Sequence, residues 1–208
     1  MAAITYNDID PRKKAFIFEL DDVLYPAKDY YYQIYYLFAN LLEYTELNSA
    51  ARTTELMINT YNEKGEGEVY NELVAQLGIE EKYRDKLEIM LLTSRLPLKL
   101  LLYKNMLSFM QDVVTDRKKI FIVTNGDPQQ QLNKLRQVEW HGLEPYLTCY
   151  FANESLPKPE PDVLHLLMKQ HNLERRDMLI IEGSGLDKLC AEACGIDYLS
   201  AKEIIDHN

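Results

Sequence analysis

Two acids follow an apolar run near the start of the chain, in Phe16-Ile17-Phe18-Glu19-Leu20-Asp21-Asp22-Val23-Leu24-Tyr25. If the run is a strand, residues two apart share a face. Glu19 and Asp21 then project together past its carboxyl end, where open α/β sheets bind ligands and two acids invite a cation. A second apolar run ends in Val123-Thr124-Asn125-Gly126 and continues as Asp127-Pro128. Aspartate suits a helix N-cap and proline the first helical position, so Thr124, Asn125 and Gly126 lie just before a positive helix end, a seat for a phosphoryl group. In Pro157-Lys158-Pro159-Glu160-Pro161 the prolines stiffen a loop around an ammonium that could neutralise such a group. A fourth segment, Ile181-Glu182-Gly183-Ser184-Gly185-Leu186-Asp187, again ends a strand run in acids. Each segment alone also reads as solvated surface charge; their shared position, after or beside a strand, is the stronger signal.

The elements that would hold these residues follow from hydrophobic pattern. Unbroken β-rich runs over 15–18, 120–123, 147–151 and 178–181, with a weaker one over 196–199, predict strands covered on both faces, as in a parallel sheet. Helical spacing appears between them, at Leu132, Leu135 and Val138 and again at Val163, Leu166 and Leu167, which makes the fold class α/β. From 27 to about 116 the pattern is helical throughout, with helices expected over 29–46, 49–61, 68–77, 81–95 and 98–116. The expected organisation is therefore an α/β core over 1–26 and 102–208 with an all-helical insertion over 27–101. Tyr30, Tyr31, Tyr32, Tyr35 and Tyr36 surround the first inserted helix. They either pack between helices or present stacking surface to a ligand or a second copy, which leaves a homodimer open.

Composition narrows the partners. With 23 Lys plus Arg against 33 Asp plus Glu, the net charge of -10 repels nucleic-acid backbones and anionic membranes. No apolar stretch approaches the roughly 20 residues of a membrane span, and the first residues lack a signal peptide's apolar core. Cys149, Cys190 and Cys194 have no paired-ligand spacing and fit free thiols in a reducing compartment, so the expected location is the cytoplasm. Cys190 and Cys194 read as helix packing, and His141, His165, His171 and His207 lie outside the four segments and are given no role.

The four segments in this order resemble the haloacid dehalogenase superfamily, specifically its phosphatase-like branch with a helical cap inserted after the first strand, over essentially the whole chain. The resemblance implies a Rossmann-like core with the four motifs at the strand ends. It implies an acid nucleophile at Glu19, an acid–base residue at Asp21, phosphoryl binding by Thr124, Asn125, Gly126 and Lys158, and a magnesium ion held around Glu19, Asp21, Glu182 and Asp187. The implied ligand is a small phosphorylated metabolite.

The chain departs from that pattern at two positions. The family has aspartate where Glu19 stands, and one extra methylene displaces the carboxylate by about an ångström, enough to cost on the order of 10²-fold in rate. The family also has an acid where Gly183 stands. Together these favour a phosphohydrolase-type protein with weak or lost catalysis, a pseudoenzyme. The alternatives are a fully active magnesium-dependent phosphatase using Glu19 and, with Asp21 arguing against it, a dehalogenase of small halo-acids.

Overall fold

The computed structural model describes residues 3–205, and His207 lies outside them. The chain divides into two compact units, one formed by Met1–Ala27 with Leu100–Asn208 and the other by Lys28–Lys99. In chain order the elements are β1 Ala15–Phe18, α1 Lys28–Glu46, α2 Ala50–Lys64, α3 Val69–Leu77, α4 Arg84–Thr93, β2 Leu100–Leu101, α5 Lys104–Thr115 and β3 Lys119–Thr124. They continue with α6 Pro128–Leu135, β4 Val138–Glu139, β5 Leu147–Phe151, α7 Asp162–His171, β6 Met178–Glu182, α8 Gly185–Cys194, β7 Asp197–Ser200 and α9 Ala201–Ile204.

The first unit is built on a five-stranded sheet of order β5-β3-β1-β6-β7, parallel at every pairing. The three runs that read as most continuously apolar form its centre, where both faces are covered. All four residues of β1 are buried, and β5 and β7, at the edges, are partly exposed. Alternation sorts the centre into two faces. Phe16 and Phe18 stand against Phe109 of α5 in edge-to-face contacts. Ala15 and Ile17 join Phe121, Val123, Leu164, Leu167, Cys190 and Ala191 in the opposite core. Cys190 is thus a small packed hydrophobe, as its helical spacing suggested. The chain leaves β1 for β3 and β5 on one side and places β6 and β7 on the other, so strand order reverses at β1, the position where open parallel sheets form a crevice at their carboxyl ends.

The second unit is helical. Helix α1 packs on α2 and α4. Tyr30 and Tyr35 are fully buried, whereas Tyr36 on the opposite side is exposed. Tyr31, Tyr32 and Tyr35 contact Tyr61 of α2, the closest pair having ring centroids 5.1 Å apart. Inter-helix packing therefore accounts for most of the tyrosine cluster.

Two sequence expectations need correction. The helix expected over 98–116 begins only at Lys104; ahead of it Leu100–Leu101 pairs in parallel with Val138–Glu139 as a separate two-stranded sheet. Val138 is accordingly in a strand and not on the helix that Leu132 and Leu135 suggested. Helix α6 also buries a different face from the one its apolar spacing indicated: Gln131, Lys134 and Leu135 point inward and Leu132 is exposed. No helix among the described residues is long and apolar enough to cross a membrane.

Candidate active site

β1 ends at Phe18, and the next residues form a loop closed on itself. The Asp22 amide donates to the Tyr25 carbonyl at 2.9 Å, and the Asp22 carboxylate accepts from the Ala27 amide at 2.9 Å. Asp22 sits at φ 59°, a conformation that aspartate tolerates better than most residues. The strand alternation expected to carry Glu19 and Asp21 in common therefore reaches no further than Glu19, and the two acids take different partners.

Glu19 continues the face of Ile17. One carboxylate oxygen accepts the Leu20 amide at 2.8 Å and the other pairs with the Lys158 ammonium. Thr124, at the end of β3, stands beside this carboxylate and gives its hydroxyl hydrogen to the Asn125 carbonyl at 3.3 Å. Lys158 is buried, and it donates further to Asp187 Oδ1 at 2.5 Å and to the Val123 carbonyl at 2.8 Å. An ammonium has three hydrogens, and these three acceptors use all of them. Burial raises the pKa of the Glu19 carboxyl above its ordinary value, with the Lys158 charge opposing the shift. For Lys158 burial works against the charge, but the Glu19 and Asp187 carboxylates outweigh it and hold the ammonium protonated beyond the usual lysine range.

Asp21 meets a lysine that sequence reading missed. Its Oδ2 accepts from Lys134 Nζ at 2.5 Å and its Oδ1 from the Tyr25 hydroxyl at 2.8 Å. The Lys134 side chain is 0% exposed and that of Asp21 26%. A buried charge on α6 demands a paired carboxylate, but a lone lysine in a polar helix gives no sign in sequence that it points inward.

Asn125 stitches two loops together, accepting the Lys158 amide at 2.9 Å and donating to the Lys158 carbonyl at 3.0 Å. Gly126, at φ 109°, donates its amide to Asn153 Oδ1 at 2.9 Å. Beyond it Asp127 caps α6 by accepting from the Gln129 and Gln130 amides, with Pro128 in the first turn, as expected. Asp187 serves the start of α8: its Oδ2 accepts from the Gly183 amide, the Ser184 amide and the Ser184 hydroxyl at 2.9–3.2 Å. Glu182 ends β6 partly exposed, outside the groups that Lys158 and Lys134 gather. The structure thus joins Glu19, Lys158 and Asp187 directly, with Thr124 beside Glu19 and Asn125 holding the backbone of Lys158. Asp21 sits with Lys134.

Gly183 has a neighbour that matters for any acid in its place. A Cβ built there would stand 2.5 Å from Val23 Cγ2 and 3.7 Å from the Asp21 carbonyl oxygen. Among the described residues no three His, Cys, Asp or Glu side chains gather as a metal-binding group. A hollow of about 710 Å³ beside His165, Met168, Arg175 and Cys194 contains none of the site residues.

Comparison with known proteins agrees with this architecture. The family model for haloacid dehalogenase-like hydrolases matches residues 16–201, and the chain belongs to that family. A phosphoglycolate phosphatase of Photobacterium profundum is 38% identical over 74 residues, a match spanning 35% of this chain and 31% of that protein. Among solved structures, a subfamily IA HAD-superfamily hydrolase from Geobacter sulfurreducens is similar with TM-score 0.61 and 18% identity, covering 91% of this chain and 87% of the other. A hydrolase from Streptococcus pneumoniae has TM-score 0.58 and 15% identity over 90% and 92%. L-2-haloacid dehalogenase from Xanthobacter autotrophicus has TM-score 0.52 and 15% identity over 90% and 77%. At these identities the structural matches speak for the fold.

Proposed function

We propose that this haloacid dehalogenase-like chain is a phosphohydrolase-type protein for a small phosphorylated metabolite whose catalysis is weak or lost. The observation that carries this reading is the state of Asp21. The acid–base residue must give a proton to a leaving group. Both oxygens of Asp21 instead accept hydrogens, from Lys134 and from Tyr25. A carboxylate so engaged has no proton to give, and the ion pair must be broken before it gains one. Glu19 adds a second obstacle, because its carboxylate is tied to Lys158, the ammonium that would otherwise meet the incoming phosphoryl group.

The magnesium ion that the family implies does not fit these side chains as they stand. The position for one of its acids is Gly183, and Val23 already fills the space into which a side chain there would grow. Between Glu19 and Asp187 lies the Lys158 ammonium, and Asp187 Oδ2 is taken by three donors of its own helix start. The reading therefore routes no step through a metal. The phosphoryl seat in this reading is the end of β3 with Thr124, Asn125 and Gly126, ahead of α6, and a ligand would have to win its Gly126 amide from Asn153.

Hydrolysis of p-nitrophenyl phosphate with and without magnesium, beside the Asp21→Asn protein, tests the proposal. The expected rates lie at or barely above the uncatalysed background in all conditions and in both proteins. Magnesium-dependent turnover that disappears in Asp21→Asn would establish the active-phosphatase alternative with Glu19 as nucleophile.

A further inference from the structure

We propose that Glu19 is a built-in occupant of the phosphoryl seat, so that the chain holds its own carboxylate where a phosphorylated ligand's oxygens would go. The inference rests on the phosphoryl-seat reading above and deepens it.

Two donors hold the Glu19 carboxylate, the Leu20 backbone amide and the Lys158 ammonium, and Thr124 stands beside it. Lys158 and Thr124 are among the groups expected to receive phosphoryl oxygens at this sheet edge, and here the ammonium serves an internal anion. Glu19 takes one hydrogen of Lys158, and the lysine's other two go to Asp187 and the Val123 carbonyl. No hydrogen of Lys158 is left for an incoming ligand.

Accessibility gives the same answer. The Glu19 side chain is 13% exposed and that of Lys158 5%, so a ligand cannot reach the ammonium without displacing the carboxylate. Charge opposes entry too: Glu19, Asp21 and Asp187 against Lys134 and Lys158 leave the site one negative charge in excess. Occupancy and repulsion make different predictions, which the test separates.

The probe is inorganic phosphate, titrated calorimetrically in EDTA into the full chain and into Glu19→Ala, Glu19→Gln and Glu19→Ala/Thr124→Val, each first shown to melt cooperatively. Clearing the seat returns at least one charge-assisted hydrogen bond to the ligand, so binding should tighten on the order of tenfold or more. Glu19→Ala should bind one phosphate at least that much more tightly than wild type, Glu19→Gln should stay near wild type because it still fills the seat, and the double variant should lose the gain. Equal binding by Glu19→Gln and Glu19→Ala would make charge the whole cause and overturn the inference. Equal binding by wild type and Glu19→Ala would overturn it while leaving the phosphoryl seat standing. A folded Glu19→Ala that binds no phosphate would overturn the seat reading itself and the inference with it. Should Glu19→Ala not fold, Glu19→Ser replaces it with the same expectations.

Discussion

Replacing Gly183 by alanine tests the claim that the acid's place is closed, because alanine adds only the Cβ. Gly183 does not occupy the left-handed region, so the substitution carries no backbone strain. In open space it would stabilise the protein by about 0.4–1 kcal/mol through the unfolded chain. Here the added carbon would stand 2.5 Å from Val23 Cγ2, well inside van der Waals contact. Val23 is completely buried and, being β-branched, has few rotamers with which to yield. The Gly183 amide is held by Asp187 Oδ2 at 3.2 Å, so the backbone has little freedom to withdraw. Overpacking of this kind costs about 1–3 kcal/mol, which exceeds the entropic gain. The expected net loss is about 1–2 kcal/mol, roughly 2–8 °C in melting temperature for a chain of this size. Val23→Ala removes the obstructing methyl and creates a small cavity, itself costing about 1–2 kcal/mol. In the double variant the added methyl enters the vacated space, so the two losses should fail to add by about 1–2 kcal/mol. Urea denaturation of the four proteins measures the cycle. A Gly183→Ala protein as stable as wild type, or strict additivity, would refute the closed-space argument and reopen the site to a metal-binding acid.

Three further outcomes follow from the same geometry. Glu19 has a folded-state pKa raised above its ordinary 4.5 by burial, so its contribution to stability is full below that value and fades as pH rises through the folded one. The unfolding free energy of wild type minus that of Glu19→Gln should therefore fall as pH rises above 4.5, and a difference that grows with pH would contradict the assignment. Asp21→Asn strips a completely buried ammonium of its carboxylate, whereas Lys134→Met leaves a carboxylate that water reaches. The first should cost about 3 kcal/mol and the second about 1 kcal/mol, and thermal melts showing the reverse order would mean the pairing is misassigned. In the helical unit the buried Tyr35 hydroxyl has no hydrogen-bond partner while Tyr30 donates to the Leu91 carbonyl. Tyr35→Phe should raise stability by about 1 kcal/mol and Tyr30→Phe lower it by a similar amount, and chemical denaturation giving the same sign for both would sink the distinction.

The central strands were readable because they are buried on both faces, which leaves an unbroken apolar run such as Phe16-Ile17-Phe18. The run at Leu100-Leu101-Leu102 looked equally like the start of the helix that follows. Its strand character depends on Val138 and Glu139, far along the chain, and a short apolar stretch does not carry that information. Helix α6 misled for a related reason. Apolar spacing selects Leu132 as an inward residue, but the helix turns Gln131 and Lys134 toward the site, where Gln131 packs under Gly126 and Lys134 meets Asp21. Amphipathic reading assumes that the buried face is the apolar one. At a charged sheet edge that assumption fails, and the most consequential residue after Glu19 went unseen.

The four segments stood out by order, and their order says less about turnover than about folding. Asp187 ties down Gly183 and Ser184 at the start of α8, Asn125 joins the loop after β3 to the loop of Lys158, and Lys158 itself binds the end of β3 through Val123. Each of these bonds is made within the protein and would persist with no substrate and no reaction. Buried donors and acceptors left unpaired cost about 1–3 kcal/mol apiece, more when charged, so the fold has reason to hold these residues whether or not anything is hydrolysed. Chemistry makes the opposite demand: some of those groups must be able to leave their internal partners for a ligand. In this chain the hydrogens of Lys158 and both oxygens of Asp21 are already committed. Motif order thus argues for the family, whereas the occupancy of donors and acceptors is what argues against efficient catalysis.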